Sequence, residues 1–279
     1  MLTLNIIGAG KVGQVLGRLF AQHQVFEIKQ IACRSVQTSA QAVAFIGAGK
    51  ATMDLTELVP ADVTMLSVPD DQIASVCQDL TTLGLFNFKS IVFHCSGAKA
   101  STELSAASEM GAALASMHPV CSFADTAKLV THFNGTICSL EGDKTALQVL
   151  VPALQAIHAK VVQIDAANKL LYHAGSVFAN NYLVTLMETA LQTYQAAGIP
   201  ADIAKAMAEP LARQSLDNVF ALGTIAALTG PIARGDMATV EKQVEVVRAW
   251  DASAGNLYAA FTAPTIALAT RKKKHYSEK

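Results

Sequence analysis

The sequence has few charged residues and no excess of either sign. Only 15% of the 279 residues are charged, and the formal net charge is −1. A protein that attracts nucleic acid or an anionic membrane through its electrostatic field needs a basic excess, so we expect neither kind of partner. The one run of like charge, Arg271 to Lys274, is interpreted as a solvated C-terminal tail.

Closely spaced cysteine pairs and long apolar runs are also missing. The five cysteines form no C-x-x-C pair and have no histidine at zinc-site spacing, which predicts free thiols in a reducing cytosol and no metal site. No uninterrupted apolar run reaches the ~18 residues of a membrane-spanning helix. Because the first residues already have the pattern of a buried strand, no signal peptide fits, and we expect a cytoplasmic location.

What the sequence does have is a glycine-rich turn at its beginning. An apolar stretch over residues 2–7 runs into Gly8-Ala-Gly10-Lys11-Val12-Gly13, and an apolar helix pattern follows. In this strand–turn–helix context the first glycine makes the tight turn and the second lets the backbone approach a pyrophosphate. The third glycine lets the helix pack closely on the strand. The segment predicts a dinucleotide site.

The length of 279 residues leaves room for such a domain of ~150 residues and a second domain of ~100. We predict a Rossmann-like, doubly wound parallel sheet over residues 1–165 and an all-α domain over 166–279. A hydrophobic fraction of 52% indicates much buried helix surface and subunit interfaces.

The end of the second predicted strand, over residues 26–33, bears on the choice of cofactor. An NAD site usually has an acidic residue here for the ribose 2′-hydroxyl, but this chain has Arg34-Ser35 and no carboxylate before Asp54. A guanidinium binds a 2′-phosphate in bidentate fashion, so we expect NADP rather than NAD. The alternative is an ordinary surface arginine. Residues 47–52 imitate the glycine motif without its third glycine and are predicted to be a loop.

Polar side chains follow three further predicted strands, over residues 61–69, 90–94 and 112–117. The first ends in Ser67-Val68-Pro69 and is followed by Asp70, the second is followed by Ser96 and the third by His118. Ligands bind at the carboxyl edge of open parallel sheets. We therefore expect the first group and Ser96 beside the cofactor, and His118 as a candidate acid or base. The alternative for His118 is a structural His-Pro turn.

In the C-terminal half the pattern predicts one long helix over residues 166–197, apolar on both faces and hence buried all round. His173, Asn180 and Asn181 share a helical face, either in a cleft or in a polar network between helices. A dense turn at 228–236 contains Thr229, Arg234 and Asp236. These three are candidate substrate contacts, although Asp236 alternatively caps the following helix.

Three stretches carry a resemblance to a known superfamily: HCSGAKAS at 94–101, SMHPV at 116–120, and YHAGSVFANNYL at 172–183 together with LTGPIARGD at 228–236. The chain resembles bacterial NADP-dependent oxidoreductases that join a Rossmann-like half to a helical domain of unknown function. Their superfamily includes 6-phosphogluconate dehydrogenase, the β-hydroxyacid dehydrogenases, 3-hydroxyacyl-CoA dehydrogenase, prephenate dehydrogenase and pyrroline-5-carboxylate reductase.

The resemblance implies roles for individual residues. Ser96 is similar to a serine that binds the substrate carbonyl, His118 to a general acid/base, and Asn181 to an asparagine shared on the long helix. The chain departs from the pattern at Val177, where the β-hydroxyacid dehydrogenases have a catalytic lysine. It also lacks the glutamate that orients the histidine in hydroxyacyl-CoA dehydrogenases, and only Asp125 is near in sequence.

Together these observations predict an NADP-dependent oxidoreductase acting on a small carbonyl, hydroxyl or imine compound between its domains. His118 is the expected acid/base, Ser96 and Asn181 the polarising donors, and His173 a second proton carrier, with Asn180 and Arg234 as substrate contacts. The helical domain is expected to form a homodimer. Two alternatives are an imine reductase similar to pyrroline-5-carboxylate reductase and a non-catalytic NADP-binding sensor.

Overall fold

The protein is described by a computed structural model that covers residues 1–277. The chain divides into two compact units, Met1–Asn180 and Asn181–Lys279. The strands of the first unit are β1 Thr3–Ile7, β2 Glu27–Ala32, β3 Lys50–Thr52, β4 Val63–Leu66, β5 Ile91–His94, β6 Ala113–Pro119, β7 Ile137–Gly142 and β8 Lys160–Gln163. Its helices are α1 Lys11–Gln22, α2 Val36–Ile46, α3 Ile73–Thr82, α4 Ser105–Glu109, α5 Thr126–Thr131, α6 Lys144–Ala156 and α7 Lys169–Ala179.

The strands form one eight-stranded sheet in the order β3-β2-β1-β4-β5-β6-β7-β8. Neighbouring strands are parallel except β6 and β7, which are antiparallel. The chain order reverses between β1 and β4, and a cofactor binds at such a switch point in doubly wound sheets. The predicted Rossmann-like fold is confirmed.

The central strands are buried on both faces, as a parallel sheet covered by helices requires. Successive residues point to opposite sides: Ile6 belongs to the core cluster that includes residues of α1 and α6, whereas Ile7 belongs to the cluster that includes residues of α3 and α4. Near-continuous apolar strands were therefore readable from the sequence. The five cysteines are free thiols, as predicted.

The short edge strand β3 was not predicted. Residues 47–52 were interpreted as a loop, but Lys50–Thr52 pairs with Gln30–Ala32 of β2. The preceding α2 ends at Gly47, whose φ of 78° turns the chain back toward the sheet. A strand of three residues is too short to show a periodic pattern, so only its pairing reveals it.

The second unit is all helical, as predicted. It contains α8 Asn181–Ala196, α9 Ala201–Leu222, α10 Thr224–Ala227, α11 Pro231–Arg234, α12 Met237–Trp250 and α13 Ala252–Ser277. The basic run at 271–274 belongs to α13 and not to a tail, and Lys272 Nζ donates to the carbonyl oxygens of Ala226 and Leu228. Among residues 1–277 we find no helix with the length and hydropathy needed to cross a bilayer.

The prediction of one continuous helix over 166–197 is wrong. The chain leaves helical geometry at Asn180, where φ is −121° and ψ is −70°, so α7 and α8 are separate helices. His173 and Asn181 therefore do not share the face of a single helix. Within one copy these helices are not buried all round, since Leu171 of α7 is 76% exposed and Val184 of α8 is 66% exposed.

Candidate functional site

The glycine turn lines a cavity of about 560 Å³ at the carboxyl edge of β1 and β4. Gly10 precedes α1 without a side-chain cap, so the first-turn amides of α1 face the cavity side of the turn. This is the arrangement in which a helix N-terminus holds a phosphate. The cavity lining includes most of the predicted cofactor residues: Gly8, Gly10, Lys11, Val12, Arg34, Ser35, Ser67, Val68 and Pro69.

The turn fits a pyrophosphate because side chains are missing where the backbone is crowded. Gly8 has a φ of 79°, and a Cβ on Gly13 would lie 2.7 Å from the carbonyl oxygen of Gly8 and 3.1 Å from Ser67 Oγ. Gly10, in contrast, has open space where its Cβ would be. A ligand can therefore approach the backbone at Gly10 while α1 stays close to the turn through Gly13.

Arg34 and Ser35 line this cavity directly after β2. Arg34 is exposed, as an arginine that binds a 2′-phosphate would be. The Ser35 hydroxyl caps α2, because it accepts from the Thr38 amide at 3.2 Å and is hydrogen-bonded to the Thr38 hydroxyl at 2.8 Å. Lys11 Nζ donates to the carbonyl oxygen of Ala124. The side chains of Ser35 and Lys11 thus already have hydrogen-bond partners in the protein.

Ser96 lies beyond β5 in a loop where its hydroxyl is fully used. It donates to Asp70 Oδ2 at 2.7 Å and accepts from the amides of Ala98 and Lys99 at 3.1 and 2.9 Å. A substrate carbonyl can take this hydrogen only by displacing Asp70. In this geometry Ser96 positions the exposed Asp70 carboxylate, and this contact between the two side chains was not predicted.

His118 ends β6 next to two side chains of α7. Its Nδ1 is hydrogen-bonded to the Tyr172 hydroxyl at 2.9 Å, and its ring centroid is 5.4 Å from that of His173. Gly97 packs between the two histidines: a Cβ there would contact His173 Nδ1 and lie 2.9 Å from His118 Nε2. His173 Nδ1 is buried and has no hydrogen-bond partner among the described residues, which is uncommon for a buried polar atom.

The electrostatic surroundings keep His118 neutral. Burial, and then the neighbouring His173 and Lys169, lower the pKa of His118 to about 4, and Asp70 opposes this shift. This value lies well below the neutral range that suits a histidine acting as general acid or base. A neutral imidazole has one ring nitrogen that donates and one that accepts. Burial also raises the pKa of the Tyr172 phenol, which stays protonated.

The remaining predicted residues belong to other parts of the chain. Asn180 is exposed at the break between α7 and α8, while Asn181, Thr229, Arg234 and Asp236 are exposed in the second unit. Asp236 caps α12, accepting from the Thr239 amide at 3.2 Å and the Thr239 hydroxyl at 2.7 Å, as the structural alternative predicted. Asp125 caps α5 and does not orient His118.

Tyr172 is the site residue that sequence reasoning missed, although it lies in the stretch 172–183 that carried the resemblance. The available signal was a phenol next to His173 on a buried helix, since buried hydroxyls need partners. In the part of the chain that the structure describes, no group of three or more His, Cys, Asp or Glu side chains is placed to hold a metal ion.

Comparisons with known proteins agree with this architecture. Residues 1–119 match the model of a Rossmann-like domain, and residues 136–265 match that of a domain of unknown function, DUF2520. These matches confirm the resemblance that the sequence motifs indicated. No curated protein matches the chain.

Three solved structures illustrate the likeness. Protein TM1727 from Thermotoga maritima is 24% identical, with a TM-score of 0.75 over 97% of this chain and 100% of that one. The "putative NADP oxidoreductase BF3122" from Bacteroides fragilis is 18% identical, with a TM-score of 0.76 over 95% and 98%. A pyrroline-5-carboxylate reductase from Coxiella burnetii is 16% identical, with a TM-score of 0.57 over 98% of both chains. At these identities the likeness concerns the fold.

Proposed function

We propose that this chain, which joins a Rossmann-like domain to a DUF2520 domain, is an NADP-dependent oxidoreductase for a small carbonyl, hydroxyl or imine compound. One observation carries the proposal. The glycine-turn cavity and the His118–Tyr172 pair lie along the same carboxyl edge of one sheet, after β1, β4 and β6. The similarity to proteins named as an NADP oxidoreductase and a pyrroline-5-carboxylate reductase supports it.

NADP is the proposed cofactor because Arg34 lines the cavity and no acidic residue follows β2. If Arg34 binds the 2′-phosphate, Arg34→Asp reverses the preference for NADPH over NADH, since a carboxylate repels the phosphate and accepts from a ribose hydroxyl. Titration calorimetry with both cofactors measures this. Equal affinities in the wild-type protein would already refute the proposed role.

When bound, the nicotinamide supplies hydride transfer at C4. The protein has to supply or accept the proton. The hydrogen bond between Tyr172 and His118 Nδ1 determines which of the two His118 can do. If the phenol donates to Nδ1, then Nε2 carries the hydrogen and donates to a carbonyl oxygen. If Nδ1 donates to the phenol, Nε2 accepts from a substrate hydroxyl. Because His118 is neutral, the negative charge that develops on the substrate oxygen during carbonyl reduction would draw the hydrogen from Nε2, and the Tyr172 phenol would give its proton to Nδ1 in exchange.

The imine alternative has a physical argument of its own. A histidine whose pKa is about 4 is rarely protonated at neutral pH and is a weak proton donor. An iminium substrate arrives already protonated and needs only the hydride. The exposed Asp70 carboxylate, which lowers the cost of a nearby cation, suits such a substrate better than it suits a carbonyl compound.

His118→Asn distinguishes these functions, because asparagine is of similar size but transfers no proton. NADPH oxidation is assayed against a panel of small ketones, aldehydes and cyclic imines, including pyrroline-5-carboxylate. For a carbonyl substrate we expect a loss of about 10²- to 10⁴-fold in turnover, the usual contribution of general acid–base catalysis. For an iminium substrate the loss stays within a few-fold. A wild-type protein that binds NADPH and oxidises it with no compound would instead be a sensor.

The remaining elements of the proposal concern the second unit. Asn181, Thr229 and Arg234 of the second unit, with Asn180 at the end of the first, are proposed as substrate contacts, whereas the Asp236 carboxylate is engaged by Thr239. A substrate-binding and dimer-forming role for residues 166–279, a homodimer through the C-terminal helices and a cytoplasmic location belong to the same proposal. Alanine at Arg234 should raise KM for an anionic substrate while leaving the affinity for NADPH unchanged.

A further inference from the structure

A fully buried lysine lies beneath the His118 site, and the proposed chemistry does not use it. Lys169, the first residue of α7, is 1% exposed, and its Nζ donates to Ser116 Oγ of β6 at 2.6 Å. The same Nζ is 3.8 Å from Glu141 Oε1 of β7. Glu141 also accepts from the amide and the hydroxyl of Ser101, both at 2.7 Å.

This ion pair is an expensive way to stabilise a fold. Removing two charges from water costs several kcal/mol per ion, and apolar replacements of similar volume are often neutral or stabilising. The buried ion pair of Lys169 and Glu141 therefore suggests a role other than stability, such as positioning neighbouring residues. Lys169, Ser116 and Glu141 are 1%, 0% and 4% exposed, so none of them can reach a ligand directly.

Their position relates directly to His118. Ser116 and Glu141 face each other across β6 and β7, and the next pair on the same side of this ladder is His118 with Ser139. Tyr172 and His173 follow Lys169 by three and four residues, one helical turn of about 5.4 Å. Lys169 contacts the lower pair of the ladder, and Tyr172 contacts His118 in the upper one.

We propose that Lys169 is a positioning residue that fixes the register of α7 on β6 and β7, so that Tyr172 meets His118. A helix that slid along the strands by one turn would separate the phenol from the imidazole. Ser116 also connects Lys169 to the loop after β5, because Ser116 Oγ donates to the carbonyl oxygen of Ser96 at 3.3 Å. The inference rests on the proposed function only in taking His118 as the proton-transfer group.

The charge of Lys169 has a second effect. The charged and titratable groups that act on His118 are Asp70 from the turn before α3, and Lys169, His173 and Tyr172 from α7. A positive charge on Lys169 disfavours a second positive charge on His118. Burial lowers the pKa of Lys169, and the charge of Glu141 opposes that lowering. Removing the ammonium should therefore raise the pKa of His118.

The test is the double substitution Lys169→Met with Glu141→Gln, which removes both charges and leaves neither partner buried alone. Imidazole NMR gives the pKa of His118 and reports its bond to Tyr172. We expect the double variant to fold. The pKa of His118 should be higher than in the wild type, and the hydrogen bond between the Tyr172 hydroxyl and His118 should be lost. Turnover with any substrate found should fall about a hundredfold, as for a misplaced catalytic group.

Ser116→Ala separates position from charge, because it removes the contact and keeps the ammonium. In this variant the hydrogen bond between Tyr172 and His118 should weaken, while the pKa of His118 should stay closer to the wild-type value than in the double variant. If His118 titrates as in the wild type and keeps its phenol bond in both variants, Lys169 is merely structural and the inference is refuted. NMR needs no turnover, so a protein that fails to bind NADPH would refute the proposed function and leave this test intact.

Discussion

Gly97 is the residue on which the candidate site depends most directly, because the two histidines pack against it from either side. A side chain there has no room, since its Cβ would contact His173 Nδ1 and approach His118 Nε2 to 2.9 Å. Neither ring can retreat without losing a neighbour: His118 is bonded to Tyr172, and His173 stacks edge-on against His118.

Gly97→Ala should therefore displace the pair and destabilise the fold by about 1–3 kcal/mol, the usual range for overpacking. Gly175→Ala is the matched control, because it lies on α7 itself and has open space where the Cβ would be. Alanine at that helical position should be neutral or slightly stabilising. Chemical denaturation measures both, and equal effects of the two substitutions would contradict the packing argument.

His118 also links stability to pH. Its pKa is lowered from 6.5 to about 4 in the folded protein, so the unfolded chain binds a proton first as the pH falls. Stability contributed by the neutral ring is complete above pH 6.5, declines between 6.5 and 4, and is lost below that. At pH 4.5 the wild type should have lost roughly 2–3 kcal/mol through this group.

Because other groups titrate in the same pH range, the effect of His118 is measured as the difference between the wild type and a variant that lacks the imidazole. Unfolding free energies of the wild type and His118→Gln are compared at pH 7.5 and 4.5. Glutamine has no proton to bind, so the variant should lose less stability on acidification by the stated amount. Parallel losses in the two proteins would mean that His118 is not held neutral.

The residues of this site were predictable to different degrees. Ser96 and His118 were identified because each follows a strand, and the carboxyl edge of a parallel sheet brings strand ends together. Tyr172 and Lys169 were not identified, since their roles depend on the register of α7 against β6. That register is set by the buried contact between Lys169 and Ser116, two residues that no sequence pattern connects.

Most helices and strands could be predicted from the periodicity of apolar residues. The elements that were predicted wrongly depend on local backbone geometry. The glycine turn, α1 and the strands β1, β2, β4, β5 and β6 were predicted with ends shifted by a few residues. Two of the errors lie where the sequence gives no local signal. The strand β3 has three residues, and the break at Asn180 interrupts an apolar pattern that continues unchanged on both sides.

The start of α12 gives an element-level prediction about Asp236. Its two carboxylate oxygens accept from the Thr239 amide and hydroxyl, which also lower the pKa of Asp236. Asp236→Ala should lower the melting temperature, as loss of an N-cap does, whereas Asp236→Asn keeps the cap and should be nearly neutral. Thermal unfolding compares them. A loss of turnover in the stable asparagine variant would assign Asp236 to substrate binding instead.

Many large apolar side chains are exposed among the residues that the structure describes. On the helices from α7 onward, Leu170, Leu171, Val184, Leu211, Phe220, Leu222 and Val246 are each more than half exposed. Where such side chains form a contiguous patch, they mark a site of association. The two helices of the segment 166–197, which was predicted to be buried all round, thus lack a covering within one copy, and a second copy is the covering that the homodimer proposal supplies.

We therefore expect the 29.4 kDa chain to sediment as a dimer. Phe220, 85% exposed on α9, is the test position: Phe220→Glu places a charge in an apolar contact, so the dimer should dissociate at lower dilution than the wild type does. Phe88→Glu is the control, because Phe88 is 76% exposed in the first unit and lies outside the proposed interface. Analytical ultracentrifugation over a concentration series compares them. A wild-type monomer at all concentrations would refute the homodimer, and equal weakening by both substitutions would place the interface elsewhere.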